Sequence, residues 1–370
     1  MPAIYLDYNA TAPMRPEARD ALVSVLGQVG NASSVHSFGR VARKNVEMAR
    51  ELVAALVGSR ARDVVFTGSG TEANNQVLKA WPDRQLFVSA IEHDSVRDVE
   101  THRQSQLPVG SDGQLDVAAS VQMIAAHGEP CVVALMLVNN ETGIKQPVAA
   151  LTKALKSLGR SDIHVHCDAV QAAGKMWIDM VALDVDTMSL SAHKIGGPQG
   201  VGAIIHRPGL ALPRLLDGGG QERRLRAGTE NVAGIAAFGA AAEQSMLQLN
   251  SLKQLSQWRL EMVEKLQAAN GRLVFLSEHT AAQLGTTVNF AVPGVRAETL
   301  VMRADLAGVA ISAGSACSSG KVNQSPVAVA MGHGSDVAQG SVRVSLGWAT
   351  TRQDVEAATD RLASVVAKFA

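Results

Sequence analysis

The sequence has few cysteines, no excess of either charge and no long hydrophobic run. Its three cysteines, Cys131, Cys167 and Cys317, lie far apart. That spacing argues against a disulfide framework or a CxxC metal site and suits a reducing compartment. Lysine plus arginine equals aspartate plus glutamate at 34 each, so no net field draws the chain to nucleic acid or anionic lipid. The longest apolar runs, such as CVVALMLV from Cys131 to Val138, fall far short of a membrane span. The opening stretch MPAIYLDYNATAP has no basic region followed by an apolar one, so no secretory signal is expected. Internal repeats and low-complexity linkers are missing too. A soluble, cytoplasmic protein without nucleic-acid or membrane partners is the expectation.

What is present is core-forming material: 46% hydrophobic and 18% charged residues in a chain of 370. That length exceeds one small core and predicts a large domain with a smaller one. The runs DVVFT, QLFVSA, CVVALMLV, IHVHCDA, DTMSL and VGAIIH read as buried strands. Helical patterns separate them: SFGRVARKNVEMARELVAALVG puts Phe38, Val41, Ala42, Val46, Ala49, Val53 and Leu56 on one face, and DVAASVQMIAAHG and PVAALTKALKSLG are similar. Apolar strands alternating with helices imply an α/β fold with a mostly parallel sheet covered on both faces. After about Ala240 one long helical stretch, AAEQSMLQLNSLKQLSQWRLEMVEKLQAAN, leads into the separate strands TTVNFAV and SVRVSL. This predicts a smaller α+β domain. The expected division is 14–245 for the large domain and 1–13 with 246–370 for the small one.

Polar groups gather where the strands end. In VVFTGSGTEANN, a strand, a Gly68–Thr71 turn and a helix start form either an anion cradle or an ordinary cap. It is neither a Walker loop nor a full GxGxxG. SLSAHKIGGPQG places Lys194 beside Ser191 and His193, with glycines that permit close backbone approach. CDAVQAAG puts Asp168 and then Gln171 at the end of another strand, where α/β sheets bind ligands. His164 and His166 alternate along that strand and read as strand residues, not zinc ligands. SAIEHDS supplies His93, and VNNETG supplies Asn139 and Glu141. Arg343 in GSVRVSLG is either an exposed-face charge or a carboxylate clamp; the segment by itself favours the exposed charge. Cys317 stands apart. In SAGSACSSGK it sits among small residues with nothing to pack against, unlike Cys131, so it is expected on a mobile loop.

Taken in order, these segments resemble the pyridoxal-phosphate enzymes of the fold-type I aminotransferase superfamily, class V. More closely they resemble its cysteine desulfurases of the NifS/IscS class. The resemblance runs from YLDYNATAP and GNASSVHSFGR through GSGTEANN, IEH, VNNETG, CDAVQAAGK and SAHKIGGPQGVGA to GGGQERRLRAGTENV, SAGSACSSG and VRVSLG. The short GSACSSG loop matches the NifS/IscS group and not the RxGHHCA pattern of the SufS group. Two departures stand out: Ala32 where proline is usual, and KVNQSPVAVAMG after the cysteine, which lacks the usual Glu-Pro-Ser-His pattern.

The resemblance implies a role for each residue. Lys194 would form the Schiff base with pyridoxal 5'-phosphate and move the substrate's α-proton. Asp168 would pair with the ring nitrogen, and His93 would stack on the ring and help transfer protons. Gln171 and Asn139 would contact the ring-oxygen side. Gly70, Thr71, Ser191 and His193 would hold the phosphate, joined by Thr229 from a neighbouring subunit of a homodimer. Arg343 and Asn139 would bind the carboxylate of L-cysteine. Cys317 would take the sulfur as a persulfide, leaving L-alanine, and pass it to an acceptor such as an iron–sulfur scaffold protein. A selenocysteine lyase or an aminotransferase on the same scaffold is the alternative, and an aminotransferase has no need of such a thiol.

Overall fold

A computed structural model describes residues 3–214, 216–278, 280–314 and 324–370 of the chain. Its centre is a seven-stranded sheet in the order Val64–Thr67, Gly202–His206, Thr187–Ser191, Ile163–Asp168, Cys131–Ala134, Gln85–Ser89 and Gln104–Leu107. Gly202–His206 runs antiparallel to both neighbours, and the other pairings are parallel. The apolar runs became strands because both faces of the sheet are covered: Val132, Val133, Met188, Leu190, Ile204 and Ile205 are fully buried. Gln104–Leu107 was not expected as a strand. Its polar sequence carries no apolar alternation, and it forms by pairing at the sheet's edge with Gln85–Ser89.

Helix Val232–Leu247 packs against both Pro16–Leu26 and Ser37–Leu56, and all three contribute to the core under this sheet. Ala42, Val46, Ala49, Val53 and Leu56 face the core as expected, but Phe38 is 62% and Val41 49% exposed. Near the helix N-terminus the buried face is carried by Gly39 and Ala42 instead. The long helical stretch after Ala240 is two helices, Val232–Leu247 and Lys253–Ala269. Ser251 backbone N–H donates to Gln248 in a turn between them.

A second sheet, antiparallel throughout, orders Ser312–Ala313, Val342–Ser345, Thr287–Ala291 and Val274–Phe275. It packs with helices Lys253–Ala269, Ala297–Leu306 and Arg352–Val366 around a separate core that includes Val288, Phe290, Val342 and Val344. The N-terminal strand Ile4–Tyr5 pairs with Val309–Ala310, and Asp7 bridges to Ser345. Ile4, Tyr5 and Asp7 are thus built into the last third of the chain. Among the described residues no helix is long and apolar enough to cross a membrane.

Candidate active site

The C-terminal ends of the parallel strands open on a cavity of about 370 Å³. Its lining includes Ser69, Gly70 and Thr71 after the first strand, His93 after Gln85–Ser89, and Asn140 beyond Cys131–Ala134. Asp168 ends strand Ile163–Asp168 with Gln171 beyond it, and Ser191 ends Thr187–Ser191 with His193 and Lys194 beyond it. Strand ends far apart in sequence meet here because parallel strands point the same way, which puts every connecting turn of one kind on one edge.

One wall suits an anion. Helix Gly70–Lys79 starts there, capped by Ser69 Oγ, which accepts from the Glu72 N–H at 3.0 Å. First-turn amides of a helix lack internal partners and carry the positive end of its dipole. A Cβ on Gly70 would lie 3.0 Å from Val170 and 3.3 Å from Ser191, and one on Gly202 would strike the Ser69 backbone at 2.5 Å. Bare glycines let strand and helix start close in behind this wall. Burial, reinforced by Lys194, pushes the His193 imidazole down to about 4, so it is neutral near pH 7.

The same cavity carries the acid and the amine. Asp168 Oδ1 accepts from the Val170 N–H at 2.9 Å, and Oδ2 accepts from Asn74 Nδ2 at 2.8 Å. Lys194 Nζ donates to the backbone carbonyls of Asn9 and Ala10 at 2.5 and 2.8 Å. Gln171 Nε2 donates to the same Asn9 carbonyl at 2.8 Å. Behind it Lys175 Nζ donates to Gln171 Oε1 at 2.8 Å and Asn9 Oδ1 at 2.7 Å. With Lys175 donating to Oε1, the Gln171 amide keeps its NH₂ on the side of the Asn9 carbonyl.

One expected site residue and one reading of a local segment need correction. Asn139 does not line the cavity: its Oδ1 accepts from the backbone of Glu141 and Thr142 at 2.9 Å, and its Nδ2 donates to the Ile91 carbonyl. It closes a turn, and its neighbour Asn140 takes the place at the cavity. Arg343 is not an exposed charge. It is 3% exposed and ion-paired with Asp7 at 2.8 Å, while its Nη1 donates to the Asn140 carbonyl at 3.1 Å. Thr229 lies outside this cavity, in a smaller pocket beside Gly68, Gly200 and Arg226. Cys317 falls outside the described residues. Cys131 and Cys167 are buried strand residues as expected.

The aminotransferase class-V family matches residues 4–358 of this sequence. An "IscS-like cysteine desulfurase" of Mycobacterium tuberculosis is 36% identical, across 98% of this chain and 96% of that protein. A "Cysteine desulfurase IscS" of Dictyoglomus turgidum is 35% identical, across 99% and 95%. The solved structure of a NifS-like protein from Rickettsia africae superposes with a TM-score of 0.91 at 30% identity, covering 98% of this chain and 99% of that one. The chain belongs to the class-V aminotransferases, among their NifS/IscS-class cysteine desulfurases.

The cofactor of this enzyme class is pyridoxal phosphate, and the donor set of the cavity fits it. An amine, a carboxylate, an imidazole and a helix start are the partners that an aldehyde, a ring nitrogen, a ring face and a phosphate require. The bare glycine at Gly70 brings the helix start close against Val170 and Ser191, so that its amides lie at the cavity wall. Sequence reasoning missed four residues of the site: Asn9, Asn74, Asn140 and Lys175. All four lie inside quoted motifs, but only the fold tells them from their neighbours.

Proposed function

We infer that the enzyme removes sulfur from L-cysteine, releasing L-alanine and loading Cys317 with a persulfide for an acceptor protein. The reading is carried by Lys194 and Asp168 meeting on one cavity that also holds a helix start. Bound there, pyridoxal phosphate supplies an electron sink for negative charge at the substrate's α-carbon. Lys194 holds the cofactor and moves the α-proton. Asp168 keeps the ring nitrogen protonated, and His93 stands against the ring. Gly70, Thr71, Ser191 and His193 bind the phosphate, and Gln171 donates to the ring oxygen. Arg343, with Asn140 instead of Asn139, receives the substrate carboxylate. The Cys317 thiolate then attacks the substrate sulfur. The electron pair of the broken carbon–sulfur bond stays with carbon, which takes up a proton and becomes the methyl group of alanine.

The division into residues 14–245 and 1–13 with 246–370 is supported by two separate buried cores. A homodimer is supported by an apolar surface: Val29, Val35 and Phe38 are 82, 85 and 62% exposed. Val29 and Phe38 line one surface pocket with Glu230 and Asn231, next to Thr229. A second copy seated there would meet Thr229. Two ion pairs anchor the loop before Thr229 in place. Glu222, at a left-handed φ of 43°, pairs with buried Arg50, and Arg226 pairs with Glu72. Delivery to an iron–sulfur scaffold in the cytoplasm is the acceptor and compartment we favour, in keeping with the likeness to proteins named cysteine desulfurase IscS.

The test is alanine and sulfide release from L-cysteine, run against L-selenocysteine, with wild type and Lys194→Ala. Wild type should be coloured and active on cysteine, and the variant should lose both properties. Alanine release by Lys194→Ala would sink the assignment, and a strong preference for selenocysteine would favour the lyase.

A further inference from the structure

Asn74 belongs to no role described so far, yet it is 1% exposed and makes hydrogen bonds on every side. Its Nδ2 donates to Asp168 Oδ2 at 2.8 Å and to Ser95 Oγ at 2.9 Å. Its Oδ1 lies 2.9 Å from His166 Nε2. Turned over, the amide would set its oxygen against the Asp168 carboxylate, acceptor against acceptor, so one orientation holds. His166 must then carry its proton on Nε2. Its Nδ1 is left to accept from the Thr187 hydroxyl, 2.9 Å away. Burial, opposed by Asp168, pushes the His166 imidazole down to about 4, in keeping with a neutral ring.

The same logic runs outward to His93. Ser95 accepts from Asn74, so its own hydroxyl proton is available for His93 Nδ1 at 2.9 Å. The backbone N–H of Ser95 also donates to that Nδ1, at 3.0 Å. Nδ1 therefore presents a lone pair, and the ring proton of His93 sits on Nε2. One buried amide thus stands between the carboxylate and the imidazole of the cavity.

We propose that Asn74 is a positioning residue for the desulfurase reaction: through Asp168 it holds the acid that faces the ring nitrogen, and through Ser95 it turns a hydroxyl proton toward His93 Nδ1, beside the Ser95 N–H that already fixes that nitrogen as the acceptor. The proposal rests on the functional reading above. An amide is the group for this place because it donates to two acceptors while accepting from a third partner. A carboxylate there would face Asp168 with like charge, and an aliphatic side chain would strand Asp168 Oδ2 and His166 Nε2 in a buried site.

The experiment uses Asn74→Ala, Asn74→Asp and Ser95→Ala beside wild type. In the loaded enzyme Asn74→Ala should lower kcat about 10- to 100-fold with KM nearly unchanged, because a misplaced acid costs the chemical step. The cofactor's visible band and its pH titration should move as well. Asn74→Asp should lose more than Asn74→Ala, whereas Ser95→Ala should lower kcat with the band in place, since Asp168 keeps its bond. A second readout needs no turnover: magnetic resonance of isotope-labelled histidines, with and without pyridoxal phosphate. Wild type should show His166 and His93 protonated on Nε2, and Asn74→Ala should lose that preference at His166. A wild-type kcat and band in Asn74→Ala would overturn the proposal, as would protonation of His93 on Nδ1 in wild type. Should Asn74→Ala fail to fold, the wild-type tautomers and Ser95→Ala still decide. Failure of wild type to bind the cofactor or release alanine would instead reject the functional reading, which the tautomers do not test.

Discussion

Arg343 and Asp7, 336 residues apart, form an ion pair of 2.8 Å where the N-terminal segment meets the C-terminal sheet. Ser312 Oγ donates to the other oxygen of Asp7 at 2.7 Å, so the carboxylate is held from both sides. Removing one partner of such a buried pair strands the other charge. Asp7→Asn should therefore lower stability by about 3 kcal/mol and raise the KM for cysteine, because the guanidinium loses the group that aims it. Denaturant unfolding and steady-state kinetics check both, and an unchanged midpoint would mean that Asp7 is dispensable.

Glu141 gives a pH signature. Burial raises its carboxyl from the ordinary 4.5 to about 7, although the Ser325 hydroxyl and Arg343 pull it down. Ser325 Oγ donates to it at 2.5 Å. Between pH 4.5 and 7 the folded state holds more protons at this group than the unfolded state, so its contribution to stability falls as pH rises. Glu141→Gln keeps an oxygen for Ser325 and removes the charge. The variant should match wild type below pH 4.5 and be more stable above pH 7, by on the order of 3 kcal/mol. Unfolding curves at pH 4.5 and pH 8 measure the difference, and a constant offset across that range would reject the assignment.

Cysteine reactivity should single out Cys317. Burial raises the Cys131 thiol to about 11 and that of Cys167 well above its ordinary value. At pH 8 only about one Cys131 in a thousand is ionised. An alkylating reagent should modify Cys317 first and leave the other two until the protein unfolds. Cys317→Ser should keep the colour and lose alanine release, because a serine hydroxyl stays protonated near neutral pH. Rapid modification of Cys131, or turnover by the serine variant, would place the sulfur carrier elsewhere.

Thr229 tests the dimer. Thr229→Ala should weaken retention of pyridoxal phosphate several-fold. In a mixed dimer of a Thr229→Ala subunit with a Lys194→Ala subunit, the intact lysine sits opposite the intact threonine. That site should retain the cofactor and turn over as wild type does. If it shows the defect of the Thr229→Ala homodimer, the threonine acts within its own subunit.

The local parts of this protein were determined by the sequence itself. A strand read as apolar because both sheet faces are covered, and the residue after its last apolar position had to lie at the sheet edge. Gly70, Thr71, His93, Asp168, Gln171, Ser191, His193 and Lys194 could be placed at a shared edge for that reason. The tertiary structure alone decided between neighbours and across distance. Asn139 and Asn140 are identical in local chemistry, and only the turn at Glu141 and Thr142 occupies one and frees the other for the cavity. Arg343 looked like a solvated charge because its carboxylate lies at the far end of the chain. Phe38 and Val41 fit a helical stripe, yet it is Gly39 and Ala42 of the same turns that are buried. Periodicity records which face of an element is apolar; what that face meets depends on parts of the chain that periodicity never compares.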